Sequence, residues 1–75
     1  MRRAGEVVGT AQGLLVARSP DESYPDVGTE LVDEELTTVG RVVDAFGPAA
    51  RPYLAVKPAE GVSPAALLGA RLYAR

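Results

Sequence analysis

Residues Val39 to Pro58 read VGRVVDAFGPAARPYLAVKP and constrain the fold more than any other stretch. Thr37–Phe46 is rich in Val and Thr, and Tyr53–Lys57 is short and mostly apolar, so both favour extended backbone. Between them lies Gly47-Pro48-Ala49-Ala50-Arg51-Pro52. Gly47 admits backbone angles closed to other residues, and Pro48 then fixes φ for a turn. Pro52 has no N–H for a ladder, which suits the first position of a strand, and Pro58 ends the pair. The stretch reads as strand, shaped turn, strand.

The first of these strands carries a conflict. Arg41 and Asp44 are three apart, so regular alternation would put one of them into the core. A one-residue bulge near Val42-Val43 resets the register and turns both outward. Small barrels need such bends to close. In the second strand Leu54 and Val56 point to the core. Tyr53, Ala55 and Lys57 share the other face, which makes Tyr53 an interface candidate. Phe46 fits a core anchor and an interface anchor equally well.

The rest of the chain supplies more short strands. Gly5–Thr10, a turn at Ala11-Gln12-Gly13 and Leu14–Arg18 read as a hairpin. Ser19–Asp26, SPDESYPD, is a loop of prolines, acids and serines without periodicity. Thr29–Asp33 is a third, short strand, expected at an edge because Leu31 and Val32 are its only large apolar residues. Glu34–Val39 resembles a helix by length alone; Thr37, Thr38 and Val39 are β-branched and argue against one. Ser63 and Pro64 are placed to cap and open one short helical turn, which Gly69 stops. Leu68–Arg75 then alternates as a last strand, with Leu68, Ala70, Leu72 and Ala74 inward. Six short strands with regular turn signals point to an all-β fold, a small closed six-stranded barrel formed by one domain over residues 1–75. Closure also removes the edges that would otherwise aggregate.

Little in the sequence supports catalysis. There is no cysteine and no histidine, which excludes disulfides and His- or Cys-based metal sites. The loop acids lack the alternating ligands and fixed glycine of a calcium loop. Ser19, Ser23 and Ser63 lie in loops with no base nearby. Gly5, Gly9 and Gly13 are not followed by the Lys-Ser/Thr of a phosphate loop and read as turns and barrel corners. Asp44 reads as an exposed or turn-bracing carboxylate, with Arg41 and Lys57 as its candidate partners. No cofactor, no metal and no enzymatic activity are expected. A chain of 75 residues buries only about 60% of its unfolded surface, which leaves little room for a cleft.

Net charge is −2, and seven acids fall between residues 21 and 35. This argues against a dedicated nucleic-acid binder. No apolar run approaches the roughly 20 residues that span a bilayer. No long apolar run follows the charges of MRRAGEVV, so no secretory leader is expected and cytoplasm is the default compartment. Seven arginines against one lysine suit a GC-rich genome and, with the acidic balance, a salt-loving archaeon.

The chain resembles the Gar-family subunit of archaeal H/ACA ribonucleoproteins, which direct uridine-to-pseudouridine conversion by guide RNA. The matching residues are Leu36, Val39-Gly40, Val42, Asp44, Phe46-Gly47-Pro48, Pro52-Tyr53, Val56-Lys57-Pro58, Gly69 and Leu72-Tyr73, with Gly5-Glu6-Val7 and Gly13-Leu14-Leu15-Val16 at the start. The order FGP, PY, KP is the most specific part. The resemblance implies the six-stranded barrel of translation-factor and reductase domains. It implies a non-catalytic subunit that docks on the pseudouridine synthase subunit, touches guide and substrate RNA only indirectly, and assists substrate loading and release. It places the partner-binding surface at Phe46, Gly47, Pro48, Pro52, Tyr53, Lys57 and Pro58. A second reading is a free-standing RNA-binding barrel with Arg2, Arg3, Lys57, Arg71 and Arg75 as a basic patch. A third, by fold analogy, is a module detached from a translation-type GTPase or a reductase.

Overall fold

A computed structural model describes residues 2–75. Its strands, in chain order, are β1 (Arg2–Ala11), β2 (Leu14–Arg18), β3 (Glu30–Val32), β4 (Thr38–Phe46), β5 (Tyr53–Pro58) and β6 (Arg71–Ala74). One 3-10 turn, Pro64–Leu67, precedes β6. Around the ring the order is β1, β2, β5, β4, β3, β6, and β6 pairs back onto β1. Every pairing is antiparallel. The all-β closed barrel with six strands is therefore the architecture read from the sequence.

Ala4, Val7, Leu15, Ala17, Leu31, Val39, Val42, Leu54, Val56 and Leu72 meet in the middle, so all six strands contribute to one core. The β4 conflict resolves as expected. Val42 pairs with Val56, and the next pair is Asp44 with Ala55, which leaves Val43 as the extra residue of a bulge. Arg41 and Asp44 then both stay exposed while Val42 is fully buried.

The β1–β2 hairpin turns on Gln12 (φ 52°) and Gly13 (φ 82°). Two positive φ values define the type I′ turn that matches strand twist, and Asn is the preferred residue at the first position. Gln12→Asn is expected to stabilise the barrel by roughly 0.5–1 kcal/mol, because Asn tolerates the left-handed conformation better. Thermal unfolding should show a midpoint a few degrees higher; an unchanged or lower midpoint would contradict this.

Three local expectations need correction. β3 is not at an edge: β4 flanks it on one side and β6 on the other, and Leu31 and Val32 are fully buried. Ring closure covers a strand that its own composition marks as peripheral. The last strand begins at Arg71, not Leu68. Gly69 (φ 85°) and a bond from the Leu68 N–H to the Ala65 carbonyl extend the turn, so Leu68 is 56% exposed and Leu67 packs on the core instead. Ser63 precedes the turn but forms no side-chain cap; its carbonyl accepts from the Ala66 N–H.

Candidate partner-binding site at the β4–β5 hairpin

Phe46 ends β4 and Tyr53 begins β5, and the two are register partners at the mouth of the hairpin loop. Side chains directly opposite on antiparallel strands point the same way and stand about 5 Å apart. The rings accordingly stack, with centroids 5.6 Å apart and planes inclined by 20°. Gly47 (φ 88°) makes the chain leave β4 in a left-handed turn. A Cβ at that position would lie 2.9 Å from Tyr53 Cδ2, so the glycine also keeps the ring in place.

On its other side Tyr53 faces Arg18, its register partner on β2. The Arg18 guanidinium carbon sits 4.6 Å from the Tyr53 ring centroid. Arg18 Nη1 donates to the Tyr53 hydroxyl at 2.9 Å and Nε to the Arg51 carbonyl at 3.0 Å. Arg51 Nε in turn donates to the Ser19 carbonyl at 3.3 Å, and the Ser19 N–H donates to the Pro52 carbonyl at 2.9 Å. Ser19 is fully buried, and its hydroxyl donates to the Asp21 carbonyl at 2.7 Å. The loop is thereby fastened to the segment after β2. A row of Phe46, Tyr53 and Arg18 crosses three strands, with Phe46 at its open end and 47% exposed. Phe46 therefore lies at the surface, the alternative that fits an interface anchor. Tyr53 is half-buried between its neighbours.

The seven residues expected at the partner surface divide. Phe46, Gly47 and Tyr53 come together, and Pro48 is exposed on the adjoining loop. Pro52 is buried, and its carbonyl accepts from the Ser19 N–H. Lys57 and Pro58 occupy the far end of β5. Tyr53 and Lys57 do lie on one strand, but four residues of rise separate them by about 13 Å. Lys57 pairs with Arg41, and both line a shallow depression with Glu30, Thr38, Gly40, Pro58 and Ala59. The aromatic end and the cationic end are two places.

Asp44 makes no ion pair with Arg41 or Lys57. The bulge at Val43 sets it opposite Ala55, and its Oδ1 accepts from the Ala45 N–H at 2.8 Å. Among the described residues the one ion pair joins Arg75 to Glu30 at 3.6 Å, with both side chains about half exposed. Of the five basic residues considered for an RNA patch, Lys57 stands apart on β5, whereas Arg2, Arg3 and Arg71 lie on the neighbouring strands β1 and β6, and Arg75, tied to Glu30 and the Leu36 carbonyl, follows β6.

Two members of the site escaped sequence reasoning. Arg18 looks like a strand terminus, and only the β2–β5 register brings it to Tyr53. Tyr24, in a loop read as simply solvated, is 40% exposed and shares a shallow depression with Ala45, Phe46, Gly47, Ala49 and Pro52. Among the described residues no cluster of acidic side chains is placed to hold a metal ion, and no helix is long and apolar enough to cross a membrane.

Residues 1–75 match the family model described as the Gar1/Naf1 RNA binding region. A search of curated proteins finds no match.

Proposed function

The chain belongs to the Gar1/Naf1 RNA-binding family, and from that premise we propose that it is a non-catalytic subunit of an H/ACA ribonucleoprotein. It docks on the pseudouridine synthase subunit and assists substrate RNA loading and release in rRNA pseudouridylation. One observation carries the docking part: an aromatic side chain, Phe46, stands at the surface on a hairpin whose other members are pinned by hydrogen bonds. Rigid exposed aromatics are where binding energy concentrates, since little side-chain entropy is lost on contact. Pro48 and Tyr24 extend the apolar area around it.

The non-catalytic part rests on side-chain chemistry. The sequence has no histidine and no cysteine. Among the described residues the one fully buried polar side chain, Ser19, is engaged with the backbone of Asp21. The isolated chain is expected to convert no uridine in a substrate RNA, whereas synthase and guide RNA together with the chain turn over repeatedly. Measurable conversion by the chain alone would overturn this.

Docking is tested by mixing the purified chain with the synthase subunit in the absence of RNA and separating by size. Co-elution is expected. Association that needs guide RNA would favour the second reading, an RNA-binding barrel recruited through nucleic acid, which the family's RNA-binding character supports.

A further inference from the structure

The ring order puts the β1–β6 face directly across the barrel from the β4–β5 face. The two faces differ in chemistry. On β1–β6, Arg3 is the register partner of Tyr73, and Glu6 is the register partner of Arg71. The register shift between Arg3 and Gly5 lets Arg3 and Glu6, three apart, share the outer side. Glu6 also pairs with Arg18 on β2, which continues the row toward Tyr53. The outer surface of β6 and β1 thus presents the guanidiniums of Arg3 and Arg71, the Tyr73 ring and the Glu6 carboxylate, while the Arg18 guanidinium is engaged with Tyr53 and the Arg51 carbonyl. The chain as a whole carries −2, with seven acids gathered between residues 21 and 35.

Neither Arg3 nor Arg71 has a carboxylate within ion-pair distance among the described residues. Glu6 lies between Arg71 and Arg18 without closing on either. Asp33, Glu34 and Glu35 share a depression with Arg71 but stay beyond ion-pair distance. Tyr73 is partly exposed beside Arg3. Guanidiniums flanking an aromatic on an open sheet offer phosphate contacts and a stacking plane together, the arrangement by which sheets hold unpaired bases.

We propose that the β1–β6 face is a direct contact site for single-stranded RNA, with Arg3 and Arg71 on phosphates and Tyr73 stacking on a base. This rests on the family's RNA-binding character and is independent of docking at the opposite face. It replaces the expectation that the chain meets RNA only indirectly. The flanking acids make the contact weak in isolation and sensitive to salt. Its value arises in a particle, where a partner held on β4–β5 leaves β1–β6 open.

The test uses the full chain and a fluorescent, uridine-rich, single-stranded RNA oligonucleotide, titrated between about 50 and 200 mM salt, where phosphate contacts dominate affinity. The wild-type chain is expected to bind weakly, with affinity falling as salt rises. Arg3→Gln with Arg71→Gln should lower the low-salt affinity about 10-fold and flatten the logarithmic salt slope by about 1.4, at roughly 0.7 per phosphate contact on a single strand. Tyr73→Leu should lower affinity by about 5- to 10-fold with the slope unchanged, as expected for lost stacking. Arg41→Gln with Lys57→Gln should change neither quantity. Circular dichroism confirms that each variant is folded, and Arg3→Lys with Arg71→Lys, which keeps the charge, should restore the slope. Synthase co-elution, followed in parallel, should be unaffected by any change on β1–β6. Four results would overturn the assignment: no binding by the wild type at the lowest salt, an unchanged slope in the Arg3 and Arg71 variant, loss caused by the Arg41 and Lys57 variant, or loss of synthase binding instead of RNA binding.

Discussion

Gly40→Ala is expected to leave much of the chain unfolded at temperatures the native barrel withstands. Gly40 pairs with Leu31 on β3 and with Pro58 on β5, so it sits where three strands converge. A Cβ at this position would overlap the Lys57 carbonyl oxygen and come within 3.1 Å of Pro58 Cα. Both are backbone atoms. They cannot swing aside as a side-chain tip can, so β4 and β5 must separate. Separation strains the bond from the Ala59 N–H to the Val39 carbonyl, 2.8 Å long, and opens the core around Val39. A clash of this kind costs about 3 kcal/mol or more. A chain of this length has only about 4–11 kcal/mol of total stability, at 0.05–0.15 kcal/mol per residue. The midpoint of thermal unfolding should fall by about 15 °C or more, at 4–8 °C per kcal/mol. Gly9→Ala serves as the control, because a Cβ there meets nothing within 4 Å. A Gly40→Ala protein melting within a few degrees of wild type would show that the strands can part without loss.

The second large effect concerns Phe46. Phe46→Ala should leave the barrel folded, since the side chain is half exposed and lies outside the core cluster. Its loss removes the stacked partner of Tyr53, at about 0.5–1.5 kcal/mol. Binding to the synthase subunit should weaken by about 2 kcal/mol, or roughly 30-fold, a typical value for an aromatic anchor. Tyr53→Ala is a poorer probe, because it also strips Arg18 and Phe46 of their contacts and mixes stability with binding. Lys57→Glu lies about 13 Å away along β5 and should change affinity less than 5-fold if docking is confined to the hairpin end. Under the proposed role, Phe46→Ala should slow multiple turnover of the assembled particle more than single turnover, because that role concerns release and not bond chemistry. A folded Phe46→Ala protein that binds the synthase normally removes this end of the barrel from the interface.

The residues that were legible in sequence were those governed by local rules. Arg41 and Asp44 cannot both face solvent on a regular strand, and that spacing alone placed a bulge near Val42-Val43; the register puts it at Val43. The breaker segment from Gly47 to Pro52 marked the hairpin, and alternation assigned Leu54 and Val56 to the core. Tyr53 and Lys57 do lie on one face of β5, as alternation implies, about 13 Å apart. The misses have a different cause. Arg18 reaches Tyr53 across 35 positions of sequence, through a β2–β5 register that no local pattern encodes. β3 looked peripheral because Leu31 and Val32 are its only large apolar residues, and the strand that covers its second side, β6, lies about 40 residues further along the chain. The bulge brings Asp44 to the outer face with Arg41 and Lys57, but its Oδ1 accepts from the Ala45 N–H and no ion pair forms.

The pairing of Arg2 with Ala74 has a kinetic side. First and last strands are each other's neighbours, so the ring closes only after nearly the whole chain is in hand. A loop of that length must be ordered before its closing bonds form, which places such folds toward the slow end of single-domain folding. Until then β1 and β6 each keep an unpaired edge, able to recruit a strand from another molecule. In the proposed particle the barrel would therefore be a component that arrives whole, and any residence in the half-closed state is an opportunity for the wrong partner.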